Sequence, residues 1–407
     1  METLKFLHIT THYPPAHLGG DARFVEYLSN ELVTAGHEVH VFQNPSAFEF
    51  VRKQRVGDLG ETTDAGVHRH LPSSPTSRMD ILAALSLGNT ASSRRMFENT
   101  VREVRPDVVH WHNTKGFFST PLSSNSARML FTAHDYYAVC PRYCLLRPGY
   151  RVCERPFLCQ TCLLRWRKPP QLWRIGGRRV IRFPAGTVVI SPSNFAARRL
   201  ELDGVKVHSI LRNFALDSAN RMKGVRTWQS LIYVGLLERQ KGILTLVDAF
   251  IKSRKKQDFG MWILGEGTQR TWIEKRIKEA GLNHRVRIPG FVPLQDAGHI
   301  FRESAAMVVP SESYENAPLS VLEAFSAGLP VIGSDIGGLP EILGSESGSS
   351  VFPPGDIERL AEVLVDLWNQ RGTLPDRGRL ARGVYDRLFN PKVHLARYFE
   401  IISENSS

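Results

Sequence analysis

The sequence predicts an α/β protein of two domains, each built on a parallel sheet covered by helices. The chain has 407 residues and is 42% hydrophobic, which is enough for two cores and excludes general disorder. Short apolar runs alternate with amphipathic helical segments, the pattern of β-α-β units. This alternation stops and restarts on either side of a polar, basic stretch, residues 215–229, which we interpret as the linker.

The first predicted domain, residues 1–214, opens with a β-α-β unit. The strand LKFLHIT is followed by the helix ARFVEYLSNELVTAG and the strand HEVHVF, and such a crossover favours a parallel sheet. Further predicted strands are PDVVHWH, ARMLFTAHD and GTVVISPS. Residues 45–100 are polar and weakly periodic; they predict one helix near Met79 to Leu87 and are otherwise interpreted as a mobile loop over the pocket.

The second predicted domain, residues 230–390, repeats the alternation. Its predicted strands are SLIYVGL, GMWILGEG, RVRIPGF, AMVVPS, PVIGSD and SSVFPPGD. Two of the intervening helices run through Leu244 to Phe250 and through Trp272 to Ala280. The pattern therefore predicts a second parallel sheet.

A helix that follows the strand ending at Val309 predicts a phosphate site. Asn316 is a plausible cap, Pro318 suits the first turn, and the N–H groups of Leu319 and Ser320 then face a pocket. Such a helix start binds phosphate well.

Two carboxylates flank that helix start. Glu315 lies in the loop before the helix, and Glu323 lies within about two turns of its beginning, placed to reach a hydroxyl of a ligand whose phosphate binds there. The pair indicates a sugar-nucleotide enzyme. The alternative is that Glu323 belongs to a solvated helix face, where glutamate is common.

A pair of cations follows the first strand of the second domain. Arg239 and Lys241 lie in the loop between that strand and the next helix. Two cations at a strand's carboxyl end suit a diphosphate, and fixed cations stabilise the charge that grows on a departing phosphate oxygen. The alternative is a pair of surface charges in a turn.

The stretch SESYENAPLSVLEAFSAGLPVI, followed by GGLPE, resembles the signature of retaining glycosyltransferases of family 4. The resemblance extends over nearly the whole chain. It implies the GT-B fold, in which two Rossmann-like domains face each other across a cleft. It also implies that the last helix, residues 391–407, returns to pack on the first domain.

The resemblance implies roles for the carboxylates and the cations. Glu315 would contact hydroxyls of the donor sugar, Glu323 the ribose, and Lys241 the diphosphate. Where the family usually has an arginine after the strand, this chain has Leu236, so Arg239 becomes the expected substitute. The backbone that would hold the phosphates is that of Asn316, Ala317, Pro318 and Leu319.

Further donor-site residues also follow from the resemblance. His134, at the end of a first-domain strand, would lie near the reacting sugar, although a lone histidine is more often structural. Gly19 and Gly20 would face donor and acceptor; turn geometry is the alternative. The loops that would hold the base contain Gly265, Gly267, Phe291 and Val292.

The expected reaction is transfer of a sugar from a nucleoside diphosphate sugar to an acceptor hydroxyl with retention, in surface polysaccharide or glycolipid biosynthesis. No catalytic metal is expected, because no Asp-x-Asp sequence is positioned for one. The alternatives are a nucleotide-sugar epimerase of the same fold and an inactive membrane-associated scaffold. The donor base, the sugar, the acceptor and the oligomeric state stay open.

Positive charge is concentrated in one segment. The segment from Arg142 to Arg199 contains thirteen basic residues and a single acidic one, Glu154. The difference equals the whole formal charge of +12. Residues 165–183 mix seven of these cations with Trp166 and Trp173, a composition that suits an anionic membrane surface. A solvated face is the alternative, and no nucleic-acid motif accompanies the charge.

Without a signal-peptide pattern or a long apolar run, we expect a cytoplasmic protein, peripheral on the inner face of the plasma membrane.

All the cysteines of the chain lie in the same region, within a predicted insertion over residues 140–183. Only one CxxC pair occurs, whereas zinc sites usually show two close pairs, so a structural zinc competes with reduced thiols in a loop-rich insertion. The candidate zinc ligands are Cys140, Cys144, Cys153, Cys159 and Cys162.

Overall fold

The computed structural model describes residues 2–16, 19–52, 55–57, 59–72, 75–124, 126–154, 159–176, 180–218, 226–293 and 296–404. The chain divides into two compact units. The first comprises Met1–Arg212 with Leu395–Ser407, and the second comprises Asn213–His394.

The first unit contains a seven-stranded parallel sheet with the strand order β3-β2-β1-β4-β5-β8-β9. A two-stranded hairpin, β6-β7, lies in the insertion between β5 and β8. The strands are β1 Lys5–Ile9, β2 Glu38–Phe42, β3 His68–His70, β4 Val108–Trp111, β5 Arg128–Thr132, β6 Leu146–Arg147, β7 Arg151–Val152, β8 Val188–Ser191 and β9 Ser209–Ile210. The helices are α1 Gly20–Thr34, α2 Pro45–Arg52, α3 Arg78–Leu87, α4 Ala91–Val104, α5 Cys159–Arg165 and α6 Asn194–Leu202.

The second unit contains a six-stranded parallel sheet with the order β12-β11-β10-β13-β14-β15. Its strands are β10 Ser230–Val234, β11 Gly260–Leu264, β12 Val286–Gly290, β13 Ser304–Val309, β14 Val331–Ser334 and β15 Ser350–Phe352. Its helices are α7 Ile243–Ser253, α8 Arg270–Glu279, α9 Gly298–Glu303, α10 Leu319–Ser326, α11 Leu339–Leu343, α12 Ile357–Asn369 and α13 Leu374–Leu388. The last helix, α14 Pro391–Glu404, belongs to the first unit from Leu395 onward.

Each sheet has a point at which the strand order reverses. In the first unit this point lies between β1 and β4, and in the second between β10 and β13. Every residue of β13 is buried, as expected for a central parallel strand covered on both faces. In open parallel sheets, ligands bind outside the carboxyl ends of the strands at such a reversal.

The interpretation of residues 45–100 as mostly loop is wrong for the described part of that segment. Besides the predicted helix, which runs from Arg78 to Leu87, it contains α2, β3 and α4. The helix α4 buries Phe97 and Val104 together with two polar residues, Ser93 and Thr100. Phe97, Val101 and Val104 recur at helical spacing, a signal that the interpretation of this segment as mostly loop overlooked.

The predicted linker, residues 215–229, is partly packed structure. Ala215 is buried, its N–H donates to the Phe389 carbonyl, and its own carbonyl accepts from Tyr385 Oη at 3.0 Å. Ser218 is also buried and hydrogen-bonds Ser326 of α10 at 2.7 Å. Residues 219–225 lie outside the described residues. The beginning of the predicted linker therefore belongs to the second unit.

The last helix is anchored within the first unit. Tyr398 of α14 is fully buried, and its hydroxyl lies 2.9 Å from Nδ1 of His110 on β4. No helix among the described residues is long and apolar enough to cross a membrane.

Candidate active site

Parallel pairing places two predicted site residues at the strand reversal of the second unit. Lys241 follows β10 in a short 3-10 helix, Arg239–Lys241, and Glu315 follows β13. Because β10 and β13 are neighbours, the loops after them meet, although 74 positions separate the two residues. Nζ of Lys241 lies 2.7 Å from Oε1 of Glu315.

This ion pair is largely shielded from water. The Glu315 side chain is 10% exposed and that of Lys241 is 33% exposed. Ser311 donates a second hydrogen bond to Oε1 of Glu315 at 2.6 Å, and the backbone carbonyl of Glu315 accepts from the N–H of Gly338. The carboxylate and its loop are therefore held from three directions.

Contacts between the two loops keep the ion pair in place. The N–H of Glu312 donates to the Gln240 carbonyl at 3.0 Å, and Thr245 of α7 donates to Oε1 of Glu312 at 2.6 Å. Gly242 approaches Pro310 so closely that a Cβ at residue 242 would lie 1.7 Å from the Pro310 carbonyl oxygen. Only glycine permits this contact, so the residue after Lys241 is fixed by packing.

The helix start differs in one respect from its prediction. Pro318, rather than Asn316, occupies the N-cap of α10, and its extended backbone leads into a helix that begins at Leu319. The N-cap residue makes no side-chain hydrogen bond to the helix, and Asn316 lies two positions before it, so the prediction that Asn316 is the cap is wrong. Asn316 is buried, and the carbonyl of Ala317 accepts from Asn213 Nδ2 at 3.3 Å. The first-turn N–H groups of a helix have no acceptor within the helix itself.

Glu323 does not lie on a solvated helix face. It is 4% exposed, on a helix in which six other residues from Leu319 to Ser326 are also buried. The alternative interpretation of this glutamate is therefore wrong, and burial of a carboxylate within two turns of the helix start favours a ligand-facing or structural polar contact.

The glycines predicted to lie near the nucleotide pack against the β10 loop. A Cβ at Gly265 would lie 1.9 Å from the Gly235 carbonyl oxygen, and one at Gly267 would lie 2.4 Å from that of Leu237. These glycines therefore let the β11 loop support the loop that carries Lys241.

Other predicted donor-site side chains are exposed or half-buried. Arg239 is exposed beside Lys241, Phe291 is 64% exposed, and Val292 is half-buried. Leu236, at the position where the resembled family has an arginine, is 43% exposed.

In the first unit, the predicted residues lie near the carboxyl ends of β1 and β5. Gly19 is the N-cap of α1 with φ of 103°, a conformation that favours glycine, and Gly20 begins the helix. His134 follows β5, is half-buried, and its ring centroid lies 5.3 Å from that of Phe24.

The sequence analysis missed a polar cluster in the first unit. Asn113, just after β4, donates to Oδ2 of Asp21 at 3.0 Å and to Oδ2 of Asp135 at 3.1 Å. Lys115 lies over the ring of Tyr143, 4.1 Å from its centroid. Burial raises the pKa of Asp135 to about 7 and lowers that of Lys115 to about 8. The available signal was the position of Asn113 and Lys115 directly after a predicted strand.

The five cysteines are free thiols in the insertion, and four of them, Cys140, Cys153, Cys159 and Cys162, line a cavity of about 250 Å³. Burial raises the pKa of the Cys140 thiol to about 12. Among the described residues, the cysteines do not form a group of three or more whose ligand atoms all lie within 4.8 Å of one another. The structural zinc stays a prediction.

Two families match the chain, and together they span both units. "Glycosyltransferase Family 4" matches residues 18–211, and "Glycosyl transferases group 1" matches residues 227–384. The chain belongs to the GT-B glycosyltransferases of family 4. It is accordingly a glycosyltransferase, and the ion pair of Lys241 and Glu315 lies within the second matched segment.

Known glycosyltransferases share this architecture. The chain is 26% identical over 391 residues to a glycogen synthase of Mycobacterium tuberculosis, covering 93% of this chain and 89% of that protein. The fold is similar to sucrose-phosphate synthase from Thermosynechococcus elongatus, with a TM-score of 0.72, 19% identity and 98% coverage of both chains. It is also similar to HepE from Anabaena in complex with UDP-glucose, with a TM-score of 0.68, 16% identity, and coverage of 98% of this chain and 100% of that one.

Proposed function

We propose that this glycosyltransferase moves a sugar from a nucleoside diphosphate sugar to an acceptor hydroxyl with retention, in the biosynthesis of a surface polysaccharide or glycolipid. The observation that carries the proposal is the shielded Lys241–Glu315 pair at the strand reversal of the second unit, where parallel sheets bind ligands. Glycogen synthase and the UDP-glucose complex of HepE are precedents among its relatives for a glucan product and a nucleotide-sugar donor.

Different residues of this site would bind different parts of the donor. Lys241 and the first-turn N–H groups of α10 would hold the diphosphate, with Arg239 as a second cation. As the sugar–phosphate bond breaks, negative charge grows on the leaving oxygen, and these fixed positive groups stabilise it without a metal ion. Lys241 and Ser311 both donate hydrogen bonds to the Glu315 carboxylate, which would in turn orient a hydroxyl of the donor sugar. Glu323 would contact the ribose.

The proposed chemistry needs no carboxylate nucleophile. The acceptor hydroxyl attacks from the face that the nucleotide leaves, and the departing phosphate takes the hydroxyl proton. Glu315 is engaged by a lysine, which suits hydrogen bonding to a sugar hydroxyl better than attack on carbon. A nucleotide-sugar epimerase, the first alternative, would convert the donor without acceptor; an inactive scaffold would show no nucleotide-dependent stabilisation.

The test is the unfolding midpoint of the protein with UDP, GDP, ADP and their sugar conjugates. At ligand a hundredfold above its dissociation constant, specific binding adds about 2.7 kcal/mol of stability. We expect one nucleotide to raise the midpoint and Glu323→Ala to abolish that shift. Glu358→Ala is the control, because this glutamate lies on the exposed surface of α12. If none of the nucleotides raised the unfolding midpoint, the proposed donor site would be contradicted.

We also propose that the insertion binds an anionic membrane surface, such as the inner face of the plasma membrane. Leu164, Leu172 and Ile175 are 62%, 48% and 54% exposed, and Arg165, Arg167 and Lys168 are exposed between them. These six residues, the apolar-basic surface, combine aliphatic side chains that enter a bilayer interface with cations that attract anionic lipid.

The segment that carries this surface is tied to its surroundings by side-chain contacts. Gln160 of α5 bonds both the N–H and the carbonyl of Gln171, and Trp173 Nε1 donates to the carbonyl of Leu85 in α3. Arg142 stacks on Trp166, 3.6 Å from its ring centroid. Both tryptophans are half-buried, so the exposed leucines and isoleucine, rather than the tryptophans, would enter the bilayer interface.

Co-sedimentation with vesicles tests the apolar-basic surface. We expect binding to phosphatidylcholine vesicles that contain phosphatidylglycerol, and weak binding to phosphatidylcholine alone. Replacing Arg167 and Lys168 together by glutamine should weaken binding about 30-fold, since each cation contributes about 1 kcal/mol. Leu202→Asn is the control, because this leucine is 77% exposed on α6, outside the surface. Equal binding by the double variant and the wild type would contradict the proposal.

A further inference from the structure

A chain of three histidines, His8, His112 and His134, runs through the first unit. Nδ1 of His8, on β1, lies 2.9 Å from Nε2 of His112, which follows β4. Nδ1 of His112 lies 2.9 Å from Nε2 of His134, which follows β5. His8 is 0% and His112 is 1% exposed, whereas His134 is half-buried at the carboxyl edge of the sheet.

Both buried rings are neutral around pH 7. Burial lowers the pKa of His8 to about 3 and that of His112 well below its usual range. A neutral imidazole carries one N–H donor and one acceptor nitrogen, so each contact in the chain has one donor and one acceptor. Both contacts must therefore run in the same direction, because His112 uses one nitrogen in each.

The inner end of the chain decides this direction. Among the described residues, Nε2 of His8 is buried with no hydrogen-bond partner. If His8 donates to His112, this nitrogen is an unpaired lone pair; if His8 accepts, it is an unpaired buried N–H. Orphaned buried N–H groups are rarer in proteins than under-satisfied acceptors. The favoured direction therefore runs outward, from His8 to His112 to His134.

We propose that His112, supported by His8, is a positioning residue that fixes the ring of His134 and keeps its proton on Nδ1. Nε2 of His134 then accepts from His112 and is not available as a base. Any substrate group that hydrogen-bonds to Nδ1 must be an acceptor, such as a sugar hydroxyl oxygen or a phosphate oxygen. The inference rests on the proposed function only in taking His134 to lie near the reacting sugar, as the family resemblance implies.

Two of these histidines form a second group with His110, and that group does not suit a metal ion. His8, His110 and His112 form a group whose ligand atoms lie within 4.8 Å of one another. Both ring nitrogens of His110 are engaged, Nδ1 with Tyr398 Oη at 2.9 Å and Nε2 with Thr132 Oγ1 at 2.8 Å. Those of His112 are engaged as described, so a metal would have to break several of these hydrogen bonds.

The decisive measurement is the tautomer of His134. In protein labelled with ¹⁵N-histidine, long-range ¹H–¹⁵N spectra distinguish a ring protonated on Nδ1 from one protonated on Nε2. His134→Gln identifies the signals. We expect the Nδ1–H pattern for His134 and for His112; an Nε2–H pattern for His134 would overturn the proposal. This readout requires no activity, so it stands even if no nucleotide sugar is bound.

Kinetics separate positioning from mere packing. We expect His112→Leu to lower kcat at least tenfold while the KM for the donor and the nucleotide-induced stabilisation stay within twofold. His112→Asn, which restores a donor near the Nδ1 position, should recover part of kcat. His110→Leu is the matched control: it is equally buried on the same segment but bonds Thr132 and Tyr398 instead of His134. Equal losses of kcat in His110→Leu and His112→Leu would contradict the proposal.

Discussion

Replacing Lys241 by methionine should lower kcat by two to three orders of magnitude. Lys241 is the cation that the structure holds beside Glu315 at the strand reversal, and it would stabilise charge on the departing diphosphate. Loss of one preorganised group of this kind costs about 3–4 kcal/mol of transition-state stabilisation. The measurement is kcat with the donor identified by the shift in unfolding midpoint.

The substitution also leaves Glu315 without its cation, so stability must be measured with activity. Unpairing a shielded carboxylate lowers the free energy of unfolding, and the double variant Lys241→Met with Glu315→Gln should regain part of it. Activity should not return. Lys252→Met is the matched control, because Lys252 forms an exposed ion pair with Glu358 in the same unit. If the double variant regained kcat, the pair would be structural and the catalytic role of Lys241 would be refuted.

The position of Lys241 and Glu315 was accessible from the sequence because it depends on short-range pattern. Buried apolar runs marked β10 and β13, and residues after parallel strands gather at one edge of a sheet. Which of those residues touch was not accessible, because the contact requires β10 and β13 to be adjacent. That adjacency is set by the strand order, which single-sequence periodicity does not report.

The polar cluster of the first unit shows the same limit. Asp21, in the first turn of α1, and Asn113, just after β4, are 92 positions apart. Their contact appears only once β1 and β4 are neighbours. The histidine chain likewise joins His8 to His112 across 104 positions. The side chains that tune a site come from strands paired across the fold, while its backbone loops can be predicted locally.

Replacing Gly242 by alanine should destabilise the second unit and displace Lys241. The added Cβ would lie 1.7 Å from the Pro310 oxygen and 2.5 Å from the Pro310 carbonyl carbon, so the loop after β10 or the end of β13 must move. Gly242 also has φ of 67°, a conformation strained for alanine. Overpacking and left-handed strain together should cost about 2–4 kcal/mol in the free energy of unfolding.

The variant Gly281→Ala separates the two causes of destabilisation, which are overpacking and backbone strain. Gly281 has φ of 70°, and a Cβ there would meet nothing within 4 Å, so this variant carries only the backbone strain of about 1–2 kcal/mol. Unfolding midpoints should therefore fall more for Gly242→Ala than for Gly281→Ala, and only Gly242→Ala should weaken nucleotide binding. Because Lys241 directly precedes Gly242, a shift of about 1 Å in the loop is enough to cost a large factor in rate. Equal effects of the two variants on stability and binding would show that the Pro310 contact relaxes without moving the site.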